Sequence, residues 1–94
     1  MIIRDMPGNE RPREKLLEYG AQYLSNSELL AILIRTGTKE KSAITLAQEI
    51  LAKEKRGLYF LAQVLPEELA EISGIGQAKA CQILAALELG KRVA

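Results

Sequence analysis

The sequence predicts an all-α domain: a compact bundle of five or six short helices, with one helix-hairpin-helix and one degenerate hairpin. Three observations carry this. Apolar residues recur at i, i+3, i+4 and i+7 in several segments, as in Ala43, Leu46, Ala47 and Ile50. Glycine, serine and proline fall between those segments at intervals suited to helix stops and starts. No run alternates apolar and polar residues, and only Met1-Ile2-Ile3 reads as extended.

Taken in order, NERPREKLLEYG (9–20) predicts a first helix with Pro12 in its opening turn and Gly20 as its stop. Leu16, Leu17 and Tyr19 are its expected buried side, with Glu14 and Glu18 in solvent. SNSELLAILIRTG (25–37) predicts a second helix. Ser25 and Glu28 have capping-box spacing, and Gly37 is the expected left-handed stop. This helix is apolar on nearly every side, which places it at the centre of the bundle. A third helix is expected from about Ser42, ending at Gly57 after a charged tail. LYFLAQVL (58–65) gives a short fourth helix, and Pro66-Glu67-Glu68-Leu69 reopens a turn with carboxylates at its positive end. The last helix, from about Gln77 to Gly90, repeats the apolar spacing at Ala80, Ile83, Leu84 and Leu87, leaving GKRVA as an exit.

Composition removes several function classes. Ninety-four residues make one small domain, 48% hydrophobic and 27% charged, which is ordinary globular composition. The longest apolar run, Leu29 to Ile34, is too short to cross a membrane, and no signal peptide is visible. Histidine is absent, and Cys81 is the single cysteine. The commonest general base and metal ligand are therefore missing, and neither a cofactor nor a metal site is expected. A lone cysteine suits a reducing cytoplasm and is expected here as a small packing residue rather than a nucleophile. Thirteen basic residues against twelve acidic ones give a net charge of +1, so any nucleic-acid surface must be local.

PEELAEISGIGQAKACQILAALELG (66–90) supplies such a surface. A helix, a tight turn carrying Gly74-Ile75-Gly76 and a second helix make a hairpin. Gly74 permits the turn, Ile75 tucks between the helices and Gly76 leaves its amide uncovered. The first amides of the second helix lack intrahelical acceptors, and the helix dipole adds partial positive charge. A phosphate oxygen fits against the N–H groups of Gly74, Gly76 and Ala78, with Gln77 beside them and Lys79 adding charge. The bland alternative is a tight turn needed only for packing. Such contacts carry no sequence information.

A second surface is expected upstream. ELLAILIRTGTKEKSAITLAQEIL (28–51) has the same plan with a longer loop and no Gly-x-Gly. Arg35, Thr36, Thr38, Lys39, Lys41 and Ser42 are its candidate phosphate contacts. The rival reading makes Thr36-Gly37 a helix stop and Ser42 an N-cap. The DNA reading requires Lys79, Arg35, Lys39 and Lys41 to converge on one face.

ERPREKLL (10–17), LSNSELLAILIRTGT (24–38), KSAITLAQEIL (41–51) and ISGIGQAKACQILAALELGKR (72–92) together resemble the N-terminal domain of the bacterial RadC family, over essentially the whole chain. The resemblance implies a helix-hairpin-helix domain preceding a JAMM/MPN-type metal-dependent domain, and a DNA-repair or recombination label. With no histidine, the metal motif of that second domain is not in these residues. The motif is shared with DNA glycosylases, whose lyase members place a nucleophilic lysine two residues after the second hairpin glycine. That position is Ala78 here, and Asp5 is the only aspartate, so no catalysis is expected in this chain. The expected function is non-sequence-specific contact with the DNA sugar–phosphate backbone. The alternative is a protein-interaction or regulatory domain serving the C-terminal metal-dependent domain.

Overall fold

The computed structural model describes residues 11–53, 55 and 57–94, and among them the regular structure is helical with no strand. The extension expected at Met1-Ile2-Ile3 lies outside the described residues. Six α-helices follow one another: α1 Arg11–Tyr19, α2 Asn26–Ile34, α3 Ala43–Leu51, α4 Leu58–Gln63, α5 Pro66–Ala70 and α6 Gly76–Val93. A short 3-10 turn, Ala21–Tyr23, links α1 to α2.

Local chemistry sets most of the boundaries. Ser25 Oγ accepts from the Glu28 N–H at 3.1 Å, while Glu28 Oε1 accepts from the Ser25 N–H at 2.8 Å. This is the capping box the spacing predicts, and it satisfies two amides at the start of α2. The Ser25 N–H bond draws the Glu28 carboxyl below its ordinary range, and the Lys15 ammonium 3.1 Å away acts in the same sense. Ser42 caps α3 through the Thr45 N–H at 3.2 Å. Glu68 accepts from the Leu65 N–H at 3.2 Å, closing the start of α5 behind Pro66.

The core forms where the apolar stripes meet. Leu30, Ala31 and Ile34 of α2 pack against Ala43, Leu46, Ala47 and Ile50 of α3, and Ala80 and Ile83 of α6 close the other side. Burying an aliphatic side chain of this size contributes about 1.5–3 kcal/mol. Helix α2 touches α1, α3 and α6, the central position its composition predicts. Two contacting pairs result, α2 with α3 and α5 with α6, joined through the α2–α6 contact.

Several expectations are corrected. Leu17 and Tyr19 are 79% and 53% exposed, because α1 docks through the i, i+4 pair Pro12 and Leu16. Helix α3 ends at Leu51, and Gly57, with φ of +56°, instead precedes α4. Helix α4 stops at Gln63, since Val64 is extended and Pro66 disfavours helix in the residue before it. Helix α6 runs through Gly90 to Val93 rather than stopping there. Cys81 is exposed on the outer side of α6, whose buried positions are Ala80 and Ile83. Gly37 is no left-handed stop: the positive φ falls two residues earlier, on Arg35.

Candidate nucleic-acid interface

The two glycines of Gly74-Ile75-Gly76 are there for different reasons. Gly74 has φ of +92°, and a Cβ on it would lie 2.9 Å from Leu46 Cδ2 and 3.1 Å from Thr38 Cγ2. It packs the turn onto α3 and its loop. Gly76 has φ of +64°, and a Cβ there would meet nothing within 4 Å. Between them Ile75 is buried, 4% exposed, and locks the turn into the core. Packing and a positive φ together account for Gly74, whereas at Gly76 the positive φ alone favours glycine and leaves bare backbone facing solvent.

That backbone opens the longest helix of the fold. No side chain caps the start of α6, and Gly76, Gln77 and Ala78 are exposed. Eighteen residues of aligned peptide dipoles stand behind those amides. The arrangement offers N–H donors and partial positive charge to an anion approaching the turn.

The second loop lies directly beside this turn. Lys79 Nζ donates to the carbonyl oxygen of Thr36 at 2.6 Å and, more weakly, to that of Gly74 at 3.4 Å. One turn further along α6, Gln82 Nε2 donates to the Leu33 carbonyl at 3.4 Å. Both acceptors sit at or just past the C-terminal end of α2, where carbonyls lack intrahelical donors. A hydrogen bond involving a charged group is worth about 1.5–3 kcal/mol. Spacing exposed neither contact, although Lys79 and Gln82 at i, i+3 occupy one helix face and are its two polar residues there.

The upstream loop is closed on itself. The Thr38 N–H donates to the Lys41 carbonyl at 2.7 Å, and Thr38 Oγ1 accepts from the N–H groups of Lys41 at 3.1 Å and Glu40 at 3.3 Å. Gly37 makes this possible by lack of bulk, since a Cβ there would come within 2.0 Å of the Lys41 carbonyl oxygen. At the loop's entrance, Arg35 has φ of 74° and ψ of −58°, and the Thr36 N–H donates to the Ile34 carbonyl at 2.9 Å. That is a γ-turn of the rare positive-φ kind.

The structure thus brings the two loops together but distributes their charge unevenly. Lys41 is paired with Glu49 at 2.9 Å, and Lys79 is held by carbonyls. Arg35 and Lys39 are exposed, and neither side chain has a hydrogen bond or ion pair among the described residues. Ser42 is occupied as the cap of α3.

A separate feature escaped the sequence reading. An apolar groove of about 200 Å³ opens between α2, α4 and α6, lined by Leu29, Leu33, Leu58 and Leu87. Leu29 and Leu58 are 37% and 44% exposed there. Among the described residues, no helix is long and apolar enough to cross a membrane.

Residues 3–81 match the family model described as UPF0758 N-terminal. A UPF0758 protein of Alkaliphilus metalliredigens (strain QYMF) is 60% identical over 97% of this chain and 39% of its own length. Its counterpart in Alkaliphilus oremlandii (strain OhILAs) is 56% identical over 99% of this chain and 40% of its own. UPF0758 protein BLi02933/BL00636 of Bacillus licheniformis is 57% identical over 99% of this chain and 41% of its own. The chain spans about two fifths of the length of these curated relatives. No solved structure matches it.

Proposed function

The chain belongs to the UPF0758 N-terminal family, and we propose that it binds the sugar–phosphate backbone of DNA without sequence preference, as a helix-hairpin-helix domain of RadC type. The exposed, left-handed Gly76 at the uncapped start of α6 carries this reading. The φ of +64° at Gly76 already favours glycine, so what supports the reading is that the backbone there is exposed and uncapped, with nothing within 4 Å of a Cβ position. The amides of Gly76, Gln77 and Ala78 would hold phosphate oxygens, and the neighbouring Arg35–Lys41 loop would meet an adjoining stretch of backbone. Catalysis is not assigned to these residues. In the longer relatives, this domain would deliver DNA to, or tether it near, the remaining three fifths of the polypeptide, which the RadC resemblance makes a metal-dependent domain.

Fluorescence anisotropy with labelled duplex and branched DNA at two salt concentrations tests the proposal, using Gly76→Asp as the control. Aspartate tolerates the left-handed conformation, favours a helix N-terminus and sets a carboxylate over the amides. A salt slope near −2 for the natural chain, as expected for about two phosphates, with binding lost in the folded variant, supports it. Equal binding by both proteins removes it.

One observation favours the second reading, a protein-interaction module. The groove at Leu29, Leu33, Leu58 and Leu87 presents partly exposed aliphatic surface, and a net charge of +1 suits a protein partner as well as DNA.

A further inference from the structure

We propose that Lys79 is a positioning residue rather than a phosphate ligand, and that through it the structure presents Arg35 as the principal side-chain cation for the DNA backbone. This rests on the DNA-binding reading above and reassigns the roles within that site.

The geometry points this way from three sides. The half-buried Lys79 turns its ammonium back onto the protein surface, bridging Thr36 of one loop and Gly74 of the other turn. An ammonium has three donors, and two are directed at carbonyls, that of Thr36 at 2.6 Å and that of Gly74 at 3.4 Å. Gln82 repeats the contact at Leu33, so α6 grips the end of α2 at two successive points.

The segment so gripped is strained. Arg35 occupies φ of 74° and ψ of −58°, a conformation glycine takes freely and residues with a Cβ take rarely. Strain of this kind persists only where the surroundings over-determine it. Lys79 on Thr36, Gln82 on Leu33, and the close approach of Gly37 to the Lys41 carbonyl are those surroundings.

Of the loop's cations Arg35 and Lys39 are unengaged among the described residues, and only Arg35 sits at the strained position. Lys41 pairs with Glu49 at 2.9 Å, whereas the Arg35 guanidinium is exposed and makes no ion pair among the described residues. Arginine offers a planar fork matched to phosphate, which a strained backbone can aim and a flexible lysine cannot. Lys79 fixes the loop, and the loop fixes Arg35.

A double-mutant cycle on duplex binding decides the assignment, with Arg35→Ala, Lys79→Met and the pair, each checked for folding. If Lys79 acts through Arg35, each single variant weakens binding about tenfold and flattens the salt slope by about one. The pair then does no worse than either single. Slope losses that add to about two in the pair make Lys79 a direct phosphate contact and overturn the proposal.

Amide exchange in the free protein supplies the second readout. Lys79→Met should speed exchange at Thr38 and Lys41, and Lys79→Arg should restore it. Unchanged exchange in Lys79→Met overturns the positioning role. Should the natural chain bind no duplex even at low salt, the DNA reading fails and the Arg35 role with it, and exchange alone decides the role of Lys79.

Discussion

Lys79 Nζ stands 2.6 Å from the carbonyl oxygen of Thr36, a residue 43 positions earlier in the chain. This contact joins two local helix pairs, α2 with α3 and α5 with α6, into one surface. Each pair is legible by itself, as a capped helix, a glycine turn and a second helix. Their relative placement depends on a lysine whose sequence context suggests only a surface charge. The ammonium answers the Thr36 carbonyl just past the end of α2, where the helix dipole leaves partial negative charge. The same contact withdraws Lys79 from the solvent-facing role that its place in the first turn of α6 suggests.

The turn glycines should separate in a stability measurement. Alanine at Gly74 meets both a φ of +92° and the Leu46 and Thr38 side chains, and should cost about 2–4 kcal/mol. Alanine at Gly76 meets open space and should cost about 1 kcal/mol, the left-handed penalty alone. Urea denaturation of the two variants checks this. Equal losses would show that the turn does not pack as described.

Gly37 should be intolerant although its φ is not in the left-handed region. A Cβ there would approach the Lys41 carbonyl to 2.0 Å and the Ser42 backbone to 2.7 Å. Backbone atoms cannot step aside as side chains do, so Gly37→Ala should lose about 3 kcal/mol or more. Thermal unfolding measures this directly.

Arg35→Gly should move stability and binding in opposite directions. Releasing the strained γ-turn returns on the order of 1–3 kcal/mol, against roughly 0.5–1 kcal/mol for the added freedom of glycine in the unfolded chain. The net expectation is a gain of about 1 kcal/mol together with weaker DNA binding. A variant that loses stability would mean that Arg35 is needed for the fold rather than for a ligand.

Glu28 gives a pH-dependent prediction. Its folded-state carboxyl titrates below the ordinary value because the Ser25 N–H and Lys15 favour the charged form. Its contribution is therefore complete above the unfolded carboxylate range and disappears as pH falls through the lowered folded value. Glu28→Gln keeps an acceptor for the Ser25 N–H but removes the charge. It should cost about 1 kcal/mol near neutrality, and the gap to the natural chain should close in acid. A gap that persists there would assign the loss to packing.

The sequence exposes what depends on local chemistry. The capping box at Ser25 and the buried stripe of α3 follow from spacing alone, because each is settled within a few residues of chain, whereas spacing left Ser42 open between an N-cap and a phosphate contact. The misplaced features depend on neighbours distant in sequence. Leu17 and Tyr19 are exposed because α1 presents a narrow stripe. Gly37 is small for the sake of Lys41, and the left-handed residue is Arg35, which composition does not mark. Charge shows the same limit: Lys41 reads as a free cation until the fold places Glu49 beside it.

The central claim, that backbone amides at the start of α6 receive phosphate, is tested most directly by following ¹H–¹⁵N amide resonances while a short DNA duplex is added to the natural chain. The account predicts fast, salt-sensitive shifts concentrated at Gly76, Gln77 and Ala78 and extending to the Arg35–Lys41 loop. No shifts at low salt, or shifts confined to the groove around Leu29 and Leu58, would contradict it.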